Sequence, residues 1–270
     1  MTPVVWGFTF LEAPRADLDG GLYFSDIIAG GVHRLAPDGT VATVIPKRRG
    51  VGGLALHADG GLVVSGRDVC HVRDGQSRQL LAPNGALGFN DLTTDAAGRI
   101  YVGSMRSAAM QVEGRIPSEL WRIDAEGSAT VVCEGIAFPN GCGLAPDGRT
   151  IYLSNYSAAE VLAIDVASGT PRPFVRVPRG NPDGLAVDEA GGVWVALGDA
   201  RCVARFMPDG ARDRTLEVPS RFVTSLCFGG TDRRDLYVTT TDNSDDPARG
   251  ATIFRARSDV PGLIPAPARI

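Results

Sequence analysis

A short apolar and aromatic run, usually preceded by a glycine-bearing turn, recurs six times along the chain. The copies are Leu22-Tyr23-Phe24-Ser25, Leu62-Val63-Val64-Ser65, Ile100-Tyr101-Val102-Gly103, Ile151-Tyr152-Leu153-Ser154, Val193-Trp194-Val195-Ala196 and Leu236-Tyr237-Val238-Thr239, at spacings of 40, 38, 51, 42 and 43 residues. A fixed period of that size is the signature of stacked or radial repeats. The β-branched and aromatic content makes each run a strand. A second apolar run precedes each turn, as in Leu54-Ala55-Leu56 and Leu185-Ala186-Val187. A third follows, as in Val32–Leu35, Leu120–Ile123, Val161–Ile164 and Thr252–Arg255, and a fourth is visible at Val41–Val44 and Ala129–Val132. Four short strands per ~40 residues describe a propeller blade. The predicted fold is therefore all-β: a six-bladed β-propeller with four antiparallel strands per blade, spanning 1–270 as one domain. The last copy lacks its own fourth strand, because Pro261, Pro265 and Pro267 interrupt the tail. The strand-like segment Val4–Phe10 is expected to fill that place and close the ring.

Composition agrees. Gly and Pro number 34 and 18 of 270 residues, about 19% against a usual ~12%, as many tight turns require. A formal net charge of −4 and a pI near 5.4 argue against nucleic-acid or anionic-membrane binding, which needs a basic face. No apolar run reaches the ~18 residues of a membrane span. The N-terminal residues show no basic segment or cleavage pattern, and the five cysteines, an odd number, read as buried thiols. A cytoplasmic location and a small-molecule partner are expected.

In a propeller the first strands line the central channel, so equivalent positions just before them meet around one mouth. Counting back ten residues from the second-strand anchors gives Glu12, Gly52, Asn90 and Asp183; an extra turn residue in the fourth copy gives Asn140, and the sixth copy is ambiguous between Thr224 and Ser225. One phase of the repeat thus carries two carboxylates and two amides. Single Asn and Asp residues commonly cap turns. Four oxygen side chains at one phase point instead to a divalent cation, which would also neutralise the paired carboxylates.

These residues carry a family resemblance. Phe10-Leu11-Glu12-Ala13-Pro14, Phe89-Asn90-Asp91 with Asp95-Ala96-Ala97-Gly98-Arg99, Pro139-Asn140-Gly141 and Pro182-Asp183-Gly184 resemble, in order and spacing, the motifs of the regucalcin/gluconolactonase/luciferin-regenerating-enzyme-like family. The resemblance implies one divalent metal and lactone hydrolysis. It implies Glu12, Asn140 and Asp183 as metal ligands, Asn90 as a substrate contact that approaches the metal, and Asp183 as catalytic acid/base. Calcium ranks first as the ion, with zinc, manganese, magnesium and iron as alternatives. The chain departs from the family where many sugar-lactone members carry Arg, here Gly88. It departs again at Leu11 and Ala13, which flank Glu12 where Gly is usual, and at Ala16 in place of a Trp.

Residues preceding the ligands, namely Phe10, Leu11, Phe89, Phe138, Pro139 and Phe222, are expected to line the pocket wall, although packing between blades would account for them equally well. With Gly88, such a rim suggests a lactone less polar than an aldonolactone. The long third-copy connection Ser104–Ser118 is expected to overhang the mouth, with Arg106, Met110, Glu113 and Arg115 as candidate contacts. The substrate-binding set is thus Asn90, Gly88, Phe89, Phe138, Arg106 and Phe222. The acidic segment Thr241–Gly250 reads as a solvated loop, with a second cation site as the alternative. His33, His57 and His71 lie away from the expected mouth, and no Gly-x-Ser-x-Gly elbow, phosphate loop or Cys-x-x-Cys pair occurs, which argues against a nucleophile triad or nucleotide chemistry. The reaction expected is metal-dependent lactone opening, with Asp183 moving the proton and Asn90 orienting the ring. A non-catalytic binding propeller with a structural metal, or a metal enzyme of different chemistry on the same site, are the other readings.

Overall fold

Alternating apolar residues between glycine turns have one economical solution, the antiparallel meander, in which each strand pairs with the next and a short turn reverses the chain. The computed structural model describes residues 1–17 and 19–270; Leu18, in the first predicted turn, lies outside the described residues. Among the described residues there are six four-stranded antiparallel sheets, the blades of a six-bladed β-propeller. They contain no α-helix, only three short 3₁₀ turns, and therefore no helix able to cross a membrane.

The chain divides into two compact units, Met1–Val51 with Asp183–Ile264, and Gly52–Pro182 with Pro265–Ile270. The first unit carries β1 (Thr2–Phe8), β2 (Leu11–Ala16), β3 (Leu22–Asp26), β4 (Gly31–Leu35) and β5 (Val41–Pro46). The second carries β6 (Leu54–Leu56), β7 (Leu62–Val64), β8 (Val69–Arg73), β9 (Gln76–Leu81), β10 (Gly88–Thr94), β11 (Ile100–Met105), β12 (Ser118–Ile123), β13 (Ala129–Ile136), β14 (Pro139–Leu144), β15 (Thr150–Asn155), β16 (Glu160–Asp165) and β17 (Pro171–Arg176). The first unit resumes at Asp183, inside β18 (Pro182–Val187), and continues with β19 (Val193–Leu197), β20 (Cys202–Phe206), β21 (Arg212–Glu217), β22 (Val223–Gly229), β23 (Asp235–Thr240) and β24 (Ala251–Arg257).

The repeat anchors hold. Strands β3, β7, β11 and β19 begin at the residues the repeat marks, and β15 and β23 begin one residue earlier. The sixth sheet runs β1-β24-β23-β22, so the N-terminal segment does supply its missing strand. The strand is Thr2–Phe8, pairing Thr2 with Arg255 and Phe8 with Ala251, which leaves Phe10 outside it. Burial falls from the first strand of a blade to the last: β22 is buried throughout, whereas β5 is almost wholly exposed. The first unit's cores include Trp194, Phe228 and Phe254 in one cluster and Leu11, Phe24 and Ile253 in another. The second unit's include Phe89, Leu92 and Val102 in one and Tyr101, Leu120 and Leu153 in another. All five cysteines are buried thiols.

The turns between first and second strands share a device. Asp17 Oδ1 accepts the amides of Asp19 and Gly21, Asp95 Oδ1 those of Ala97 and Arg99, and Asp188 Oδ1 those of Ala190 and Gly192. Each Oδ2 then holds an arginine, Arg34, Arg99 and Arg205 respectively. Asp188 also takes Trp194 Nε1–H at 2.8 Å, and its pair with Arg205 is fully buried. The phenol of Tyr101 donates to Asp95 at 3.2 Å and, through burial first and that carboxylate second, is pushed up to about 12. His57 stands in this place in the second blade. Its Nδ1 accepts the Asp59 amide, so Nε2 carries the proton and donates to the Ile270 carbonyl at 3.1 Å. A donor replaces an acceptor, and what it catches is the tail. Ala268 pairs beside His57, and its amide donates to Leu56.

Candidate functional site

In the first unit, Glu12 and Asp183 are each the second residue of a first strand, β2 and β18, and are 8% and 4% exposed. The four candidate ligands lie inside the first strands, not before them as the sequence suggested. Pairing starts earlier because the chain accommodates extra residues in a β-bulge: register shifts fall between Glu12 and Arg15, Phe89 and Leu92, and Pro139 and Cys142. In the sixth blade the shift falls between Val223 and Ser225, which makes Thr224 the equivalent residue and resolves the ambiguity. Ala13 follows Glu12 with φ +50, a left-handed backbone that an Ala adopts at some cost. That conformation accompanies a hydrogen bond from the Ala13 amide to Glu12 Oε2 at 3.0 Å. Gly184 needs no positive φ. Its glycine is required by space, since a Cβ there would lie 2.0 Å from Ser225 Oγ.

In the second unit, Asn90 is half-buried on β10 and Asn140 is buried at the second position of β14. Asn90 Nδ2 donates to the Pro139 carbonyl at 3.1 Å, leaving Oδ1 as an acceptor. Gly52, at the same repeat phase, is small for a visible reason: a Cβ would stand 2.5 Å from Asn90 Oδ1. Gly88 is closed to any side chain in the same way, because a Cβ would meet the Gly66 carbonyl at 2.6 Å. The departure at this position is therefore built into the backbone.

The expected apolar wall is largely core. Leu11 and Phe89 are fully buried in the clusters above, Phe138 is nearly so and packs edge-on against Tyr156, and only Phe10 and Phe222 remain half-buried. Packing inside the blades took the phenylalanines whose neighbours are strand residues. Arg106 is committed to Glu119, Nε to Oε1 at 2.5 Å. The loop that follows is anchored by Arg115, which donates to the Ala137 and Ala109 carbonyls, and by Ser157 Oγ, which donates to Ala109. It leaves Met110 and Val112 outermost, 79% and 86% exposed. In the acidic loop, Asp242 accepts from Ser220 and Arg221, which lie outside the loop, and Asp246 pairs with Arg249.

The donor set fits a hard cation in its chemistry. It comprises two carboxylates and two amides, all oxygen donors, and three of the four are at most 8% exposed. Among the described residues no group of three or more His, Cys, Asp or Glu is arranged so that it could hold a metal ion by itself.

Residues 10–242 match the family model described as the SMP-30/gluconolactonase/LRE-like region. Pentonolactonase XacC of Haloferax volcanii is 34% identical over 240 residues, covering 85% of this chain and 80% of that protein. The 6-deoxy-6-sulfogluconolactonase of Pseudomonas putida is 36% identical over 263 residues, covering 89% and 88%. Among solved structures, a luciferin-regenerating enzyme superposes with a TM-score of 0.87 at 23% identity, covering 99% of this chain and 97% of that one. At these identities the structural likeness speaks to the fold alone.

Proposed function

Because this chain belongs to the SMP-30/gluconolactonase/LRE-like family, we propose that it is a divalent-metal-dependent lactonase that opens a cyclic ester by hydrolysis. The observation that carries this reading is the likeness, over more than four fifths of the chain, to proteins named as a pentonolactonase and a 6-deoxy-6-sulfogluconolactonase. The site chemistry supports it. Glu12, Asn140 and Asp183, together with Asn90, are the residues that would hold the cation, calcium first. When bound, such an ion supplies Lewis acidity toward a carbonyl oxygen. The remaining work falls to the chain itself. Asp183 is the general base that accepts a proton from the attacking water, and the same carboxyl returns it to the departing alkoxide. Asn90, braced through its amide nitrogen, presents Oδ1 at a fixed angle and orients the ring.

We assign a lactone less polar than an aldonolactone as the preferred substrate. Support for this now comes from Gly88, which cannot offer a polar side chain, and from the exposed Met110 and Val112, while the phenylalanines contribute less than their sequence positions suggested. The test is a panel of aldonolactones and alkyl or aromatic lactones, read by proton release, with and without chelator and with calcium, magnesium, manganese or zinc restored. Cation-dependent turnover with higher kcat/KM on the less polar lactones is expected. Turnover indifferent to chelation defeats the metal requirement, a large preference for aldonolactones defeats the substrate assignment, and no lactone turnover under any cation defeats the reaction.

A further inference from the structure

The sixth blade brings no carboxylate or amide to the repeat phase that elsewhere carries Glu12, Asn90, Asn140 and Asp183; it brings Thr224, followed by Ser225. Both are buried, and both are spent on strands that carry a candidate carboxylate. Thr224 Oγ1 lies 2.6 Å from the Leu11 carbonyl and 2.8 Å from Thr239 Oγ1. A carbonyl only accepts, so the single Thr224 proton goes to Leu11, and the Thr239 hydroxyl donates to Thr224. Leu11 immediately precedes Glu12. The opposite flank of β22 is held by contact: the backbone of Gly184, next to Asp183, runs so close to Ser225 that a Cβ there would lie 2.0 Å from Oγ and 2.6 Å from Cα. Strand β22 thus touches the residue before one carboxylate and the residue after the other.

The second unit repeats half of this arrangement. Asn90, at the same phase of β10, donates to the carbonyl of Pro139, the residue immediately before Asn140. Each unit thus holds one instance: a residue at this phase, Thr224 or Asn90, hydrogen-bonds the carbonyl that precedes the equivalent residue of a neighbouring first strand. Its recurrence with two different side chains, an amide and a hydroxyl, marks it as a feature of the repeat.

We propose that Thr224 and Ser225 are positioning residues that set the spacing of the Glu12 and Asp183 carboxylates, and through it which divalent cation the site prefers. The inference rests on the metal reading above. The physical reason is dimensional. Magnesium holds oxygens at about 2.0–2.1 Å and demands near-octahedral order, whereas calcium accepts about 2.3–2.6 Å and irregular geometry. A shift of a few tenths of an ångström between two carboxylates therefore changes one affinity more than the other.

The experiment titrates the cation-free protein with calcium chloride and magnesium chloride by calorimetry, alongside its melting temperature without cation. Thr224→Val keeps the shape and removes the proton donor. It is expected to weaken calcium binding by about tenfold, the loss of one ~1.4 kcal/mol positioning contact, and to change the calcium-to-magnesium affinity ratio at least threefold, an estimate from the differing oxygen distances. Thr224→Ser, which restores the hydroxyl, should recover both. Ser225→Ala removes only the hydroxyl beside Gly184 and carries the same test if Thr224→Val does not fold. A role in folding alone predicts a lower melting temperature with both affinities and their ratio unchanged, and that result overturns the proposal. Absence of any cation binding by the unaltered protein overturns it together with the metal reading, whereas intact wild-type binding with indifferent variants overturns the positioning role alone.

Discussion

The two units solve one problem with different chemistry. At the repeat phase proposed to hold the cation, the second unit carries the amides Asn90 and Asn140 and the first the carboxylates Glu12 and Asp183. An amide has both a donor and an acceptor, so Asn90 can anchor itself through Nδ2 to Pro139 and still present an oxygen. An ionised carboxylate has acceptors only. Glu12 takes an amide proton from Ala13, and the strand beneath it is held by the hydroxyl of Thr224. Where the functional group cannot brace itself, a neighbouring residue must do so. In the first unit Thr224 holds the carbonyl before Glu12, and in the second Asn90 holds the carbonyl before Asn140.

The largest expected effect tests whether the charge in the first unit is what matters. Asp183→Asn converts that position to the second unit's chemistry with nearly the same shape. We expect kcat on the best lactone to fall by about 10²–10⁴, the range for losing a general base, with an unchanged melting temperature in the absence of cation. Full residual activity would remove Asp183 from the chemistry and erase the functional distinction between the units.

Next come the glycines that allow the close approaches. Gly184→Ala drives a Cβ into Ser225, within 2.6 Å of its backbone, whereas Gly52→Ala meets the movable end of Asn90 at 2.5 Å with backbone no nearer than 3.4 Å. Overpacking against backbone should cost about 2–3 kcal/mol at Gly184 and no more than about 1 kcal/mol at Gly52, measured by urea denaturation. Equal costs would show that the two strand contacts are equally rigid. At Gly52 the signature should be kinetic, with a rise in KM as Asn90 is displaced.

Asn90→Asp probes the brace itself. The new carboxylate cannot donate to the Pro139 carbonyl and faces it instead, at a cost of about 1–3 kcal/mol at neutral pH. The loss should shrink as pH falls through the carboxyl range, because a protonated acid can donate again. A loss independent of pH would mean that the bond to Pro139 does not hold the strand.

The smallest effect is expected at the tail of the second unit. Burial lowers the His57 pKa below its usual value, with His71 and Arg78 acting in the same direction and the Ile270 carbonyl and Asp59 opposing them. A histidine lowered in the folded state binds its proton more readily when unfolded, so its contribution is present above the unfolded pKa of ~6.5 and declines as pH falls below it. Protonation of Nδ1 also ends its role as acceptor for Asp59. Amide exchange at Ala268 and Arg269 should therefore speed up, relative to intrinsic rates, between pH 7.5 and 5.5, and His57→Gln should flatten that change. Protection that stays constant across this range would detach the tail from His57.

Much of this architecture was legible from period alone. Leu22, Leu62, Ile100 and Val193 open their strands where the repeat marks them, because β-branched and aromatic residues after a glycine turn have little alternative to pairing. The N-terminal strand was legible as well, since a sixth blade with three prolines after its third strand had to be completed from elsewhere. Phase counting gave one residue each for Glu12, Asn90 and Asp183, where the turn length is constant, and left two in the sixth blade, where the turn through Gly229 and Arg234 is longer. There only the register shift between Val223 and Ser225 identifies Thr224. The phenylalanines misled for a different reason. Period tells which residues share a phase but not which side of a bulged strand they face, and Phe89 turned into the core.

Sequence by itself determined the six-fold repetition, the strand order, the closing strand and which residues share a repeat phase with Glu12 and Asp183, because these follow from local pairing and spacing. Tertiary structure decided which of them brace and which are braced. The Thr224 hydroxyl reaches a carbonyl 213 residues away, Gly88 is closed off by the backbone of Gly66, and His57 exchanges the turn carboxylate for a donor that holds the tail. Such contacts join residues distant in the chain, and their outcome depends on ångström-scale approach between strands that no periodicity encodes.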